Sequence, residues 1–347
     1  MIDWTKRGGI SQNILETIGL TPLVKLNAVA REIGADILVK LEWFSPTGSI
    51  KDRIYYQMIT EAIRNHALNP GMEILETSTG NAGISCAFVG HLLGYLVTII
   101  LPDGMSIERA KIIKAYGAKI LYTPGAESDV DLCLQKQEEI IKENPGKYWV
   151  PSQYTNQDNV MAHYLSTGPE IWEQTGGKVD AFIATQGTGG TITGVGKYLR
   201  EKNPKVLLYA GEPTEAPMLS KREWGSHRIE GIGDGFVPRN LDVSLLNGVF
   251  LSTSDEAISM AKKLSLEEGL FCGISSGANV VGAIKLAEQH PELQVIVTMV
   301  NDTGQRYFST PLCDTEKHVD IPEREHPFDD FTIEQLNTYQ SGWEIIQ

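Results

Sequence analysis

Residues 181–194 of this 347-residue chain read Ala181-Phe182-Ile183-Ala184-Thr185-Gln186-Gly187-Thr188-Gly189-Gly190-Thr191-Ile192-Thr193-Gly194. The first five residues are apolar or β-branched, which predicts a buried strand. The glycine-rich part then opens a segment of helical periodicity that continues to Glu201. A glycine-rich turn at a helix N-terminus has backbone N–H groups available to bind an anion. The stretch therefore predicts a phosphate site between a strand and a helix.

The sequence also limits which phosphate compound this turn can bind. A dinucleotide fingerprint that begins at Gly187 would require a further glycine at position 192, where the chain has Ile192. No Walker-type Gly-Lys-Ser/Thr sequence follows either. The turn is therefore predicted to bind a monophosphate.

Apolar runs and segments of helical periodicity alternate along the chain, which favours parallel sheets covered by helices. Strands are predicted at residues 37–43, 97–101, 119–122, 181–185, 206–210 and 295–300. Helices are predicted at residues 106–116, 129–143, 191–201 and 254–268. Thr253 and Glu256 have the spacing of a capping box, and Gly269 marks the end of that helix.

Composition excludes several classes of function. The 30 Lys and Arg against 44 Asp and Glu give a net charge of −14, which argues against nucleic acid or an anionic membrane as a partner. No apolar run is long enough to span a bilayer, and the N-terminus lacks a leader pattern, so we expect a cytoplasmic protein. The four cysteines are scattered, which predicts neither disulfides nor a metal site.

Two further motifs supply groups that a phosphate site alone would not need. Residues 45–53 place Lys51 at a strand-to-helix junction, where a lone lysine would ordinarily be solvated. Residues 77–83 form a loop rich in hydroxyls and glycine before an apolar helix, and such a loop suits a carboxylate or a phosphate, or simply caps the helix. An amine, a carboxylate receptor and a monophosphate turn are together what a pyridoxal phosphate enzyme requires.

With these motifs, the chain resembles the cysteine synthase and cystathionine β-synthase family of fold type II pyridoxal phosphate enzymes. The resemblance extends from Asn13 to Thr310 and includes further motifs at residues 21–24, 102–106, 167–172, 231–238 and 273–278. It implies a tryptophan synthase β-like α/β fold with two parallel-type sheets in two interleaved domains, and a homodimer. Residues 1–41 and 159–312 would form the large domain, residues 42–158 the small domain, and residues 313–347 a tail that docks partly on the body.

The resemblance also implies a role for individual residues. Lys51 would bind pyridoxal phosphate covalently and then move the Cα proton of the substrate. The other cofactor-binding residues would be Asn81, Gly187, Thr188, Gly189, Gly190, Thr191 and, at the ring nitrogen, Thr303. The substrate carboxylate would be bound by Ser78, Thr79, Gly80, Asn81 and Gln153.

The implied reaction is β-replacement through an aminoacrylate, in which O-acetylserine and sulfide give cysteine and acetate. Serine acetyltransferase would be a possible partner protein. Asp234 departs from the small apolar residue usual at this position, and it is either a solvated loop residue or a general base that lets water convert cysteine into serine and hydrogen sulfide. Cystathionine synthesis and a non-catalytic regulatory role remain open at this point.

Overall fold

The computed structural model describes residues 2–4, 10–78, 80–125, 130–313 and 328–347. Within these ranges the strands are β1 Leu23–Lys25, β2 Asp36–Leu41, β3 Glu73–Thr77, β4 Val97–Pro102, β5 Lys119–Thr123, β6 Tyr148–Trp149, β7 Ala181–Thr185, β8 Leu207–Pro213, β9 Gly248–Ser252, β10 Val295–Val300 and β11 Glu344–Ile346. The helices are α1 Lys51–Arg64, α2 Asn81–Leu92, α3 Ile107–Ala115, α4 Val130–Glu143, α5 Gln157–Ala162, α6 Gly168–Gln174, α7 Gly190–Lys202, α8 Met218–Lys221, α9 Ser254–Glu268, α10 Ile274–Gln289 and α11 Asp330–Tyr339. A π-helical segment, His163–Thr167, joins α5 to α6.

The strands form two sheets, which confirms the predicted α/β class. A seven-stranded sheet has the order β1-β2-β10-β7-β8-β9-β11, and a four-stranded sheet has the order β5-β4-β3-β6. The smaller sheet is parallel. The larger one is mixed because β1 pairs antiparallel with β2, so the prediction of two parallel-type sheets is wrong for this strand. Only ten residues and no helix connect β1 to β2, which is too short for a typical parallel crossover.

Local sequence signals locate several elements correctly. Strands β7 and β10 and helix α9 have the predicted bounds. The capping box is present, because the Thr253 hydroxyl accepts from the Glu256 N–H at 3.1 Å and the Glu256 carboxylate accepts from the Thr253 N–H at 2.8 Å. Strands β1, β3, β6, β9 and β11 were not predicted.

The two sheets use different parts of the chain. All strands of the four-stranded sheet come from residues 73–149, and those of the seven-stranded sheet come from the segments on either side. The predicted boundary between residues 158 and 159 falls inside α5. In the predicted tail, residues 314–327 lie outside the described residues, whereas β11 pairs with β9 as an edge strand of the larger sheet. Among the described helices, none is long and apolar enough to cross a membrane.

Candidate active site

A cleft is lined by residues that follow strands of both sheets. Of the residues predicted from the sequence, those that line it are Lys51, Asn81, Gln153, Gly187, Thr188, Gly189, Thr191 and Asp234. The structure therefore brings together the lysine, part of the carboxylate loop and the phosphate turn. In the described ranges, no group of three or more His, Cys, Asp or Glu residues could hold a metal ion.

The glycine-rich turn has the properties of an anion site. It leads into α7, and its N-cap Gly189 has a φ of +77°, a conformation that favours glycine. The backbone N–H groups of residues 187–192 donate no hydrogen bond to any described residue. A Cβ added at Gly187 would overlap the Gly231 carbonyl oxygen, and one at Gly190 would overlap the Asn159 side chain. Glycines here thus allow close packing while the N–H groups remain available at the N-terminus of a helix.

Two side chains that the sequence reasoning did not assign to the site support this turn from one side. The Asn159 amide donates to the Thr188 hydroxyl at 3.0 Å, and His163 Nε2 lies 3.2 Å from the Thr191 hydroxyl. Burial, together with the charges of nearby Arg53 and Lys51, holds the pKa of His163 well below its usual value, so its ring is neutral. Asn159 and His163 are four residues apart, a spacing that places both on one helical face.

Lys51 is the first residue of α1, and this end of the helix is fixed by a buried ion cluster. The Arg53 guanidinium donates to Glu42 at 2.7 and 3.0 Å and to Glu170 at 2.7 and 2.8 Å. Lys40 also contacts Glu170, with Nζ 2.7 Å from its carboxylate. Because these four side chains are almost fully buried, they hold α1 in one position and so determine where Lys51 lies.

Asp52 joins α1 to the helix that follows the carboxylate loop. Its carboxylate accepts from the Thr47 N–H at 2.7 Å, the Thr47 hydroxyl at 2.6 Å and the Ser85 hydroxyl at 2.6 Å. Ser85 belongs to α2. Asp52 thus fixes Lys51 relative to the start of α2.

The residues of the predicted carboxylate receptor around the start of α2 have two different roles. The Ser78 hydroxyl accepts from the N–H groups of Gly80 at 2.9 Å and Gly83 at 2.7 Å, so it caps the helix and does not line the cleft. Asn81 and Ala82 do line it, and their N–H groups donate to no described residue. Two backbone donors at the positive end of the helix dipole therefore face the cleft.

The other predicted carboxylate residues have different positions. Thr79 lies outside the described residues. The Gln153 amide nitrogen donates to the Thr77 carbonyl at 2.9 Å at the edge of the cleft. The Asn81 side chain donates to Asp302 at 2.6 Å and accepts from Arg306. Its amide is therefore held by residues that follow β10, a strand of the larger sheet.

Asp234 lies in the cleft on a loop that bends at Gly231, Gly233 and Gly235, all of which have a positive φ. Only 6% of Asp234 is exposed. Burial raises the pKa of this carboxyl to about 6, although Lys51 and a hydrogen bond from Tyr154 act in the opposite direction. Near neutral pH it can therefore both accept and release a proton, and it is not a solvated loop residue.

Residues 14–302 match the model of a family described as pyridoxal-phosphate dependent enzymes. This chain belongs to the pyridoxal-phosphate dependent enzyme family. The resemblance and the cofactor inferred from the sequence are thereby confirmed, and so is the expectation that the chain is an enzyme.

Relatives within the pyridoxal-phosphate dependent family include cysteine synthases. The chain is 44% identical over 300 residues to cysteine synthase 3 of Caenorhabditis elegans, covering 86% of this chain and 88% of that protein. It is 44% identical over 305 residues to cysteine synthase A of Escherichia coli K12, covering 85% and 93%.

Solved structures point to the same family. The cysteine synthase of Entamoeba histolytica is 38% identical, with a TM-score of 0.85 and 97% of both chains covered. A hydrogen sulfide-producing enzyme from Fusobacterium nucleatum is also 38% identical, with a TM-score of 0.82, covering 86% of this chain and all of the other.

One predicted contact to pyridoxal phosphate needs correction. Thr303 does not line the cleft, because its hydroxyl caps the 3-10 turn Gly304–Arg306 and accepts from the Gln305 N–H at 3.4 Å. The hydroxyl residue that does line the cleft nearby is Ser275, at the start of α10, whose oxygen accepts from Asn301 at 3.1 Å.

Sequence reasoning also missed a buried arginine in the cleft. Arg109 of α3 lies over Gly80, forms an ion pair with Glu230, and donates to the Tyr307 hydroxyl at 2.9 Å. Its guanidinium also lies 5.0 Å from the centre of the Tyr307 ring. The local sequence around Arg109 carries no signal for this, because its ion-pair and hydrogen-bond partners, Glu230 and Tyr307, are more than 100 residues away.

Proposed function

We propose that the chain is a cysteine synthase, which converts O-acetylserine and sulfide into cysteine and acetate. The observation that carries the proposal is the meeting, in one cleft, of Lys51, the free N–H groups at the start of α2, and the phosphate turn. Cysteine synthases among the relatives support cysteine as the product.

The cleft residues fit pyridoxal phosphate. We propose that the N–H groups of residues 187–192 and the Thr191 hydroxyl bind its phosphate, and that Ser275 takes the position at the ring that the sequence assigned to Thr303. When bound, the cofactor supplies an electron sink that acidifies the Cα–H bond of an amino acid. The Lys51 amine then takes the proton from that carbon, as a general base held in place by the buried cluster around Arg53.

The start of α2 is proposed to bind the amino-acid substrate. The N–H groups of Asn81 and Ala82 donate to its α-carboxylate, and the helix dipole favours that negative charge. Gln153 lies beside the same end of the cleft and orients the loop through Thr77. With the carboxylate fixed there, the Cα–H bond can be held within reach of Lys51.

The test is product identification with the purified holoenzyme. Incubation with O-acetylserine and sulfide should yield cysteine and acetate, and Lys51→Ala should reduce that rate by about a thousandfold or more while the protein stays folded. Lys262→Ala, which changes a lysine of α9 outside this cleft, is the control and should leave the rate unchanged. If the unsubstituted enzyme forms no cysteine, the proposal is wrong.

A second candidate activity is favoured by Asp234. A buried carboxyl with a pKa of about 6 in the cleft can activate water, so that cysteine and water give serine and hydrogen sulfide. The structural similarity to the hydrogen sulfide-producing enzyme of Fusobacterium nucleatum supports this reading. Asp234→Asn should lower sulfide release from cysteine by about a hundredfold, measured with a sulfide electrode. Unchanged release would exclude Asp234 as the base.

Further proposals concern the assembled enzyme. We propose a cytoplasmic homodimer, with serine acetyltransferase as a possible partner protein, on the strength of the resemblance to cysteine synthases. Large apolar side chains exposed on the surface, such as Leu96, Leu121 and Tyr122, would suit contact with a second copy.

We also propose that residues 42–158 act as a small domain that closes when α2 binds the substrate carboxylate.

A further inference from the structure

The C-terminal helix lies outside the segment that matches the family, yet it contacts the loop that carries Asp234. The family match ends at residue 302, and α11 begins at Asp330. Thr332 is fully buried, and the side chain of Leu336, one turn later, packs into the core beneath the larger sheet. The helix is therefore a fixed part of the fold.

One hydrogen bond connects this helix directly to the backbone of the loop. The Val237 N–H donates to the Thr332 hydroxyl oxygen at 2.9 Å. The Thr332 hydroxyl in turn donates its hydrogen to the Asp329 carboxylate at 2.8 Å, which turns an oxygen lone pair toward Val237. Because Val237 is buried, its N–H has no water to replace this acceptor.

Other contacts fix α11 on the surface of the larger sheet. The Arg239 guanidinium lies 4.7 Å from the centre of the Phe331 ring. Arg222 donates to Gln340 and to Asn337, each at 2.6 Å. The helix is thus fastened near its beginning and its end, and it can serve as a rigid support for Val237.

The loop needs such a support because its own backbone is permissive. Asp234 stands three residues before Val237 and lies between Gly233 and Gly235, which both have a positive φ. On its other side the loop is held by His227, whose Nε2 lies 3.3 Å from the Gly233 carbonyl oxygen. The Asp234 carboxylate is bonded by Tyr154, whose ring also packs against Phe236 at 5.1 Å, while the backbone of the loop is held by His227 before Asp234 and by Thr332 after it.

From this geometry we infer that Thr332 is a positioning residue, through which the C-terminal helix fixes residues 231–238 and so places Asp234 and its loop in the cleft. The inference rests on the proposed function for the identity of the cleft. The proposed donors to the substrate carboxylate belong to α2 and not to this loop. Loss of the Thr332 contact should therefore affect the reaction step more than substrate binding.

The test compares holoenzymes of the full chain that carry Thr332→Val, Thr332→Ala or Thr332→Ser. Thr338→Val is the matched control, because Thr338 lies on the exposed face of the same helix and, among the described residues, its hydroxyl bonds only to the Glu334 carbonyl of that helix. Amide hydrogen exchange of the peptide covering residues 231–238 is measured together with kcat and KM for sulfide release from cysteine, the reaction in which Asp234 is proposed to act.

Thr332→Val and Thr332→Ala should each speed exchange in this peptide and lower kcat by about tenfold, with KM changed less than about twofold. Thr332→Ser keeps the acceptor and should behave as the unsubstituted enzyme. The inference is overturned if the Val and Ala variants exchange at the original rate, or if they lower kcat no more than Thr338→Val. Should the unsubstituted enzyme make no cysteine, the proposed function fails, whereas the exchange data still decide the role of Thr332.

Discussion

Asp234 shows how one residue acquires its chemistry from its surroundings. Only 6% of its surface is exposed, and burial raises its pKa to about 6 from the usual 3.8. Lys51 is the charged group that acts against this rise. Ionising a buried carboxyl costs free energy and so lowers the stability of the folded state. Such a cost is expected where a site needs a proton acceptor near neutral pH.

That cost predicts how Asp234→Asn changes stability with pH. The folded state holds the proton up to about pH 6, whereas the unfolded chain releases it near pH 3.8, so the native carboxyl lowers stability progressively between these values. Above pH 6, Asp234→Asn should therefore raise the free energy of unfolding by up to about 3 kcal/mol, and below pH 3.8 it should have little effect. Urea denaturation of both proteins above pH 6 and below pH 3.8 measures the change in the free energy of unfolding. An equal change in both ranges would contradict the prediction.

The roles of single residues were predictable where the neighbouring residues form a recognisable motif. Lys51, Asn81 and the glycines of residues 187–190 stand in motifs whose residue types and spacing specify an amine, an amide and an anion turn. Arg109 and Asn159 could not be found in this way, because only the tertiary fold brings Arg109 to the cleft and Asn159 to the hydroxyl of Thr188. Thr303 was misplaced since a hydroxyl in a turn can cap its own backbone instead of facing a ligand.

At the scale of elements, α1 is positioned by charge and not by apolar packing alone. Although burial acts to raise it, Arg53 and Lys40 hold the pKa of Glu170 at about 2, well below its usual 4.5. The charged form is thus strongly favoured in the folded state. Glu170 is linked to α1 through Arg53, so the cluster aligns the helix that begins with Lys51.

Glu170→Gln should destabilise the protein by about 3–5 kcal/mol at pH 7, since it leaves buried Arg53 and Lys40 with too little negative charge. The native carboxylate stabilises fully above pH 4.5, and this stabilisation is lost as the pH falls from there through about 2. The difference between variant and original should therefore be the same at pH 7 and pH 5.5. Thermal unfolding at these two values measures it, and a difference that shrinks by pH 5.5 would count against the cluster.

Elements were predictable where periodicity and capping agree, as in α9, and less so where a strand is short or polar. Strand β3 contains two glutamates, and Glu76 is buried there with a hydrogen bond from Tyr55 at 3.1 Å. Strand β11 has three residues and exists because β9 offers it a sheet edge. Such pairing is a property of the assembled sheet, so the sequence of the strand itself does not reveal it.

At the scale of the whole molecule, we expect the cleft to attract anions despite a net charge of −14. Its lining contains two cations, Lys51 and Arg109, but also the carboxylates of Glu230 and Asp234. The remaining donors are N–H groups at the starts of α2 and α7, where Asn81, Ala82, Thr191 and Ile192 line the cleft and donate to no described residue. Helix N-termini thus provide the positive potential that the overall composition lacks.

The most direct measurement of the central claim is a comparison of two reactions in one holoenzyme preparation. One sample receives O-acetylserine and sulfide, the other cysteine alone, and kcat/KM is determined for each while the products are identified. We predict that cysteine formation has the larger kcat/KM. If serine and sulfide form from cysteine faster than cysteine forms from O-acetylserine, the account of the chain as a cysteine synthase is contradicted.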